Sequence, residues 1–522
     1  MERFLRDLCE TDPHSEKLRI KDDKGGLLKS CHAWILNDPQ LQSWQNSQDT
    51  RLLWIKGDPG KGKTMLMIGL VDMLTDDLKS SSAISYFFCQ NTVPYLNNAV
   101  SVLRGLIWKL LWNHRTLRKY IPDEYRCKSK DSGNDRGKEI LEGSSAFPIL
   151  VTMLSAMLRD SSLETVYLLV DALDECDSDS HRLIEWIAKD ASAPLSKAKW
   201  LLSSRHTTKM EETFRQEGQR QKLDLNSNEA HISAAVNLFI EHKVVNLATK
   251  KEYNCGLREK VEIQLKEKAE STFLWVALVC RMLEDIPRRR TMAELEKFPP
   301  GLQPLYKRMM QQIEDQKDED RELCKQILRA IAIAYRPLTL KELHPIAELS
   351  EVPMDDIHQL VELCGSFLIL RKEVVYFVHQ SAKEYLNKSD KIFPQGCTKE
   401  QSAIVSRSLQ CMSDTLGRDM YDLRNPSCLI EQVECPVPDP LARIRYACVY
   451  WVDHLCEIHD NLQSRVDLCD NGMIDVFLKR HFLHWLEALS LMKSMSNGVV
   501  MLRKLESMLA VSIGFPTWSY LI

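Results

Sequence analysis

The sequence predicts an α/β domain, a parallel sheet with helices on both faces, followed by a helical domain, a winged-helix domain and an all-α C-terminal region. Three observations carry this. Short apolar runs that read as strands alternate with helical stretches up to residue 226; beyond it the strand signal gives way to helical spacing; and near residue 370 two short strands, two residues apart, return among helices. The 522 residues divide accordingly into 1–48, linker helices; 49–226, the sheet domain; 227–300, the helical domain; 301–390, the winged helix; and 391–522, the C-terminal helical region. At roughly 100–200 residues per domain, a chain of this length should hold several units.

Run 51–56 is a buried strand leading into Gly57-Asp-Pro-Gly-Lys-Gly-Lys-Thr64, after which Met65, Leu66, Ile68, Gly69, Leu70, Met73 and Leu74 crowd one broad helical face. Further strands are expected at 83–88, 166–170, 199–203 and 222–225, with helices at 99–112 and 147–158 between them. Stretch 128–138, rich in Ser, Asp, Gly and Asn, reads as a mobile surface loop. Helical spacing then marks 231–245, 257–270 and 272–283, and Pro299-Pro-Gly301 punctuates the chain. Helices at 305–314, 321–335, 340–348 and 354–364 lead to strands 367–371 and 374–378, a hairpin across Lys372-Glu373 with a helix at 380–386 behind it. In the C-terminal region 444–459 and 482–492 are the clearest helices, and no fixed repeat period is present.

Composition narrows the function classes. Apolar residues make up 44% and charged residues 27%, an ordinary globular mix that excludes wholesale disorder. The 69 Lys+Arg against 73 Asp+Glu leave a net charge of -4, with no global field for a polyanion. Helix 354–364 carries three acids and no Lys or Arg, so no nucleic-acid partner is expected for the winged helix. No apolar run approaches the ~20 residues of a membrane span, and the N-terminal Met-Glu-Arg-Phe-Leu-Arg-Asp-Leu is no secretory signal. With 16 scattered cysteines read as reduced thiols, a cytoplasmic location is expected. Cys448, His454, Cys456, His459, His481 and His484 lack the paired spacing of a zinc site and are read as helix-face residues, and Arg288-Arg-Arg290 as a solvated cluster.

The stretch Gly57–Thr64 satisfies G-x-x-x-x-G-K-[ST], the phosphate-binding P-loop. Between a strand and a helix, such glycines let backbone N–H groups curl around phosphates at the positive end of the helix dipole. Gly57, Asp58, Pro59, Gly60, Lys61, Gly62, Lys63 and Thr64 are therefore the expected nucleotide cradle, Lys63 reaching the β- and γ-phosphates and Thr64 placing its hydroxyl on Mg²⁺. A P-loop needs an acidic partner at the end of a buried strand. Val166-Tyr-Leu-Leu-Val-Asp-Ala-Leu-Asp-Glu-Cys176 supplies Asp171, a second Mg²⁺ ligand through water, with Asp174 and Glu175 placed to orient or deprotonate an attacking water. Strand 199–203 runs out into Arg205, which can neutralise charge on a terminal phosphate.

These elements, in this order, resemble the NACHT branch of the STAND signalling NTPases, and closely the NACHT modules of fungal NOD-like receptors and vegetative-incompatibility proteins. The resemblance runs through Leu52-Leu-Trp-Ile-Lys-Gly-Asp-Pro-Gly-Lys-Gly-Lys-Thr64, Leu169-Val-Asp-Ala-Leu-Asp-Glu-Cys176 and Leu201-Leu-Ser-Ser-Arg205. It extends upstream through Phe4-Leu-Arg-Asp-Leu8 and Lys24-Gly-Gly-Leu-Leu28, and downstream through Thr272-Phe-Leu-Trp-Val-Ala-Leu-Val-Cys280 and Phe377-Val-His-Gln-Ser-Ala-Lys-Glu-Tyr-Leu386. It implies an ATP/ADP- and Mg²⁺-dependent switch: a closed ADP-bound monomer that opens on exchange, oligomerises, and engages an effector or adaptor in programmed cell death, with slow hydrolysis as the reset. It also implies that His379, by motif, touches the β-phosphate in the resting state. No proline matches the adenine-packing one of related receptors, so the base contacts stay open. Family members also carry an effector domain before this region and a repeat array after it, and the sequence displays neither. A constitutive P-loop ATPase or a non-signalling truncated scaffold is the alternative; two helical units in tandem suit a conformational relay better than a second substrate.

Overall fold

The strand-like runs of the first half pair into one five-stranded sheet in the computed structural model, which describes residues 2–9, 12–79, 81–91, 93–122, 141, 145–176, 179–218, 221–424, 429–462 and 471–511. Two units divide the chain, Met1–Leu305 and Tyr306–Ile522. The expected loop at 128–138 lies outside the described residues.

In the first unit three helices precede the sheet: α1 (Glu2–Leu8), α2 (Pro13–Asp23) and α3 (Pro39–Asn46). The sheet contains β1 (Leu52–Lys56), β2 (Ser82–Phe88), β3 (Thr165–Asp171), β4 (Ala198–Ser204) and β5 (Lys222–Asp224), in the order β2-β3-β4-β1-β5. Every pairing is parallel. Parallel strands carry helices on both faces and so must be apolar throughout; β2 and β4 are buried along their whole length. The helices that follow β1 to β4 are α4 (Lys63–Asp76), α5 (Ala99–Asn113) with α6 (Ala146–Met157), α7 (Ser180–Ser192) and α8 (Thr208–Gln216). Gly105 of α5 has a packing reason, since a Cβ there would lie 2.5 Å from the Phe87 ring.

Local chemistry sets the N-terminal helices. Asp12 caps α2 by accepting from His14 N and Ser15 N, with Pro13 in the first turn where its missing N–H costs nothing. Along α2, Lys17 and Lys21 pair with Asp72 of α4 at 2.6 and 3.3 Å. Lys199 of β4 donates to the carbonyls of Trp44, Gln45 and Ser47 at the end of α3. Its burial there lowers its pKa to about 8. The unit closes with α9 (Glu229–Lys251), α10 (Cys255–Lys268), α11 (Phe273–Asp285) and α12 (Thr291–Lys297). Lys268 satisfies three carbonyls at the end of α12, those of Leu295, Glu296 and Phe298.

After α13 (Leu302–Glu314), the second unit has α14 (Asp318–Ile333), β6 (Leu338–Thr339), α15 (Leu340–Ile346), α16 (Met354–Leu363), β7 (Leu368–Arg371), β8 (Val374–Phe377) and α17 (Gln380–Asn387). The hairpin expected across Lys372-Glu373 is present as β7–β8, and β6, too short to read from sequence, adds a third antiparallel strand in the order β6-β8-β7. Both turn residues take positive φ, 46° and 65°, a turn that ordinarily selects Asn-Gly. Thr339 and Glu342 form a capping box that starts α15. The remaining helices, α18 (Cys397–Thr415), α19 (Arg445–Leu462), α20 (Met473–Leu491) and α21 (Met495–Val511), enclose a core containing Trp451, Phe477 and Trp485. Among the described residues no helix is long and apolar enough to cross a membrane.

Candidate nucleotide-binding site

Gly57 to Gly62 form a loop between β1 and α4 in which Gly60 and Gly62 have φ of 79° and 85°. Only glycine adopts that region without strain. Space makes the same demand: a Cβ at Gly60 would meet Thr272 Cγ2 and Leu274 Cβ at 2.9 Å, and one at Gly62 would meet the Phe273 ring at 3.0 Å. The start of α11 therefore packs against the loop. Lys61 fastens it, donating from Nζ to the carbonyls of Glu270 and Ser271 at 3.1 Å each. No side chain caps α4, so its first amides keep their donors at the positive end of the helix.

Lys63 folds back over the loop, its Nζ donating to the carbonyls of Gly57 at 2.5 Å and Asp58 at 3.1 Å. Burial lowers its pKa, and Asp174 and Asp171 oppose that shift. Asp171, 2% exposed at the end of β3, accepts from the hydroxyls of Ser203 and Thr64. Burial raises its pKa while those hydroxyls hold it down. The two expected Mg²⁺ ligands are thus adjacent. Next to them, Ala172 has φ 51° and ψ 47°, a left-handed conformation that costs a non-glycine residue roughly 1–3 kcal/mol. Its N–H, donating to Ser203 Oγ at 3.0 Å, helps hold it there.

Because β4 lies between β1 and β3, its C-terminal end falls between the P-loop and the acids. Arg205 donates from its backbone N to Asp174 Oδ1 at 3.0 Å and pairs through Nε with Asp174 Oδ2 at 3.2 Å. Glu175 accepts from the Asn91 N–H at 3.1 Å. Its burial outweighs that bond and pushes its carboxyl up to about 7. The side chains of Lys63, Thr64, Asp171, Asp174, Glu175 and Arg205 are all at the C-terminal edge of one sheet. His379 is in the other unit, where its Nδ1 accepts from Ser381 N at 3.1 Å and caps α17.

Two features escaped the sequence reading. A shallow, solvent-open groove beside the loop is lined by Cys31, His32, Trp34, Leu66, Ile232 and Phe273, among others, and Trp34 stacks on His231 with centroids 5.2 Å apart. Lys24, quoted above only as part of a motif, has its ammonium in the electrostatic reach of Asp171 and Glu175. Neither has a local signal, because both depend on segment 24–34 wrapping over α4. For Mg²⁺, one or two protein oxygens with phosphate and water complete the shell. Thr64 and Asp171 fit that requirement; among the described residues no cluster of three or more His, Cys, Asp or Glu forms a metal cage.

The strand order and the P-loop site define a protein of the P-loop NTPase fold. Residues 30–205 match the family described as Nephrocystin 3, N-terminal. Over 533 aligned positions the chain is 42% identical to the vegetative incompatibility protein HET-E-1 of Podospora anserina, covering 98% of this chain and 38% of that protein. The similarity to that incompatibility protein runs along nearly the whole of this chain and, with the family match, supports a NACHT-type protein, as its motifs predict. It spans well under half the length of that relative. Among solved structures, a Walker-type ATPase of Pyrococcus abyssi matches with a TM-score of 0.32 at 10% identity, covering 66% of this chain and 93% of that one. A RuvB mutant of Thermotoga maritima matches at 0.26 and 12%, covering 70% and 97%. Likenesses of that size carry no argument about function.

Proposed function

We propose that this chain is the nucleotide-operated switch of an incompatibility protein, binding ATP and ADP with Mg²⁺ in the cytoplasm. The observation that carries this reading is the meeting of Lys63 and Thr64 with Asp171, Asp174, Glu175 and Arg205 at one sheet edge. Bound Mg-ATP supplies a transferable terminal phosphoryl group and the charge that distinguishes it from ADP. The loop amides and Lys63 bind the phosphates, and the Thr64 hydroxyl with the Asp171 carboxylate holds the cation. Glu175, with its pKa near 7, can take a proton from water at neutral pH. Asp174 keeps Arg205 engaged until a terminal phosphate competes for the guanidinium.

The groove beside the loop is the proposed base site. His32 Nδ1 lies 3.1 Å from the Leu28 carbonyl and burial lowers the ring's pKa, so the neutral ring donates there and keeps Nε2 as an acceptor, which suits an exocyclic amino group. The finer division at 226, 300 and 390, the winged helix as a lid carrying His379, self-association on activation, an effector or adaptor partner and a cell-death outcome are parts of the same proposal. They rest on kinship with the incompatibility proteins.

The test is to purify the chain, denature it, and identify released nucleotide, beside Lys63→Ala and size-exclusion profiles with ADP or a non-hydrolysable ATP analogue. ADP that copurifies with wild type and is lost in Lys63→Ala, with larger species on the analogue, is the expected result. Fast multiple turnover by an unchanging monomer would replace the switch with a constitutive ATPase.

A further inference from the structure

The P-loop carries two lysines two positions apart, and they are engaged in different ways. Lys63 folds back onto the carbonyls of Gly57 and Asp58, whereas Lys61 leaves the loop and donates from Nζ to the carbonyls of Glu270 and Ser271, at 3.1 Å each. These acceptors lie in the turn between α10 and α11, and both residues have positive φ, 45° and 52°. Two consecutive left-handed residues that are not glycine persist only where the surrounding structure enforces them. Within the turn, Thr272 N donates to Ala269 O at 2.9 Å and Thr272 Oγ1 to Glu270 O at 3.0 Å. The loop adds a further restraint through Lys61.

The contact restrains the loop as well. The Thr272 methyl and Leu274 Cβ leave no room for a side chain at Gly60, the Phe273 ring closes on Gly62, and Leu274 N donates to the Gly60 carbonyl at 3.4 Å. The two glycines that the phosphate cradle needs in the left-handed region are thus packed against a segment far along the chain. The same turn is also tied to the end of α12. Lys268, the last residue of α10, donates to the carbonyls of Leu295, Glu296 and Phe298, and Trp275 Nε1 donates to that of Pro299 at 3.0 Å. Turn 269–272 is therefore joined by direct contacts to the phosphate loop, and through its flanking helices to stretch 295–299, after which the chain enters α13.

We propose that Lys61 is a positioning residue: turn 269–272 braces the P-loop in the shape that binds phosphate, and Lys61 is the link through which nucleotide occupancy reaches α10 and α11. This rests on the nucleotide-switch reading above. Lys61 acts through the loop and not on the phosphates, because its ammonium is already held by two carbonyls. Linkage makes the effect reciprocal. If the docked turn favours the phosphate-binding shape of the loop, a nucleotide in the loop must favour the docked turn by the same factor.

The experiment pairs two measurements on the full chain with Mg²⁺: equilibrium titration with fluorescent ADP, and hydrogen exchange of the amides at 270–276 with and without ADP. Wild type, Lys61→Met, Thr272→Ala and Lys63→Ala are compared; Thr272→Ala loosens the brace from its own side without changing charge. Lys61→Met and Thr272→Ala are each expected to weaken ADP roughly threefold to thirtyfold, the size of a partly exposed hydrogen-bond pair or a lost methyl contact. In wild type ADP should slow exchange at 270–276 by a similar factor, a response that needs no variant to fold, and in Lys61→Met most of that slowing should vanish. Weakening in Lys61→Met with Thr272→Ala like wild type would make Lys61 a direct phosphate ligand. Unchanged ADP binding in Lys61→Met, or exchange that ADP leaves unaltered in wild type or slows equally in Lys61→Met, would show that the turn and the loop are not coupled through Lys61. Each of these results overturns the proposal while Lys63→Ala still abolishes binding. If Lys63→Ala binds ADP as wild type does, the P-loop reading falls and this proposal falls with it.

Discussion

Replacing Glu175 by Gln tests the electrostatics of the acid cluster with little change of shape. The Glu175 carboxyl is raised from 4.5 to about 7, mainly by burial. A carboxyl whose pKa is higher folded than unfolded holds its proton more tightly in the folded state. Its favourable contribution is therefore complete below about pH 4.5 and is lost as pH rises through 7. At about 1.4 kcal/mol per pH unit the loss is roughly 3 kcal/mol at pH 8. Gln never ionises and escapes this cost, but it is a weaker acceptor for the Asn91 N–H, a deficit of about 1 kcal/mol. The net gain at pH 8 is then about 2 kcal/mol, or roughly 4–8 °C in the melting of a domain of about this size. Calorimetry at pH 8 and pH 4.5 is the assay. The gain should be present at pH 8 and absent at pH 4.5; a gain of equal size at both, or a loss at pH 8, would refute the burial argument. The same substitution should slow any hydrolysis by about 10²–10⁴ if Glu175 serves as the base.

Gly60→Ala should destabilise the first unit by roughly 2–4 kcal/mol, combining left-handed strain with overpacking against Thr272 and Leu274, and denaturant unfolding measures it. His379→Ala should speed ADP release, read by chase of a fluorescent diphosphate; His379→Asn keeps a capping acceptor for α17, so equally fast release from both variants assigns the effect to the imidazole rather than to the cap.

Much of the nucleotide site was legible because its signals are local. The cradle needs glycine where φ is positive, a lysine and a hydroxyl at the next helix start, and a carboxylate at the end of an apolar strand. These requirements are met within Gly57–Thr64 and at Asp171, and the structure brings the two stretches together. Less visible was how each side chain is engaged. Lys61, expected at the nucleotide, has its ammonium on the carbonyls of Glu270 and Ser271, about two hundred positions on in sequence. Arg205, expected to face phosphate, is paired with Asp174. Ala172 occupies a left-handed conformation and the Lys372-Glu373 turn has two positive φ angles, although none of these residue types advertises one.

What the sequence by itself determined is the strands of the large sheet, the β7–β8 hairpin, many of the helices and the phosphate-loop motif, since period, turn chemistry and glycine placement act over a few residues and survive in any tertiary context. Only the tertiary structure decided that β4 lies between β1 and β3, that Ser203 reaches Asp171, and that segment 24–34 brings His32 to α4. Apolar periodicity states that a strand is buried but not which strand lies beside it. That choice is made by the packing of the whole unit, where contacts distant in sequence compete for the same surface.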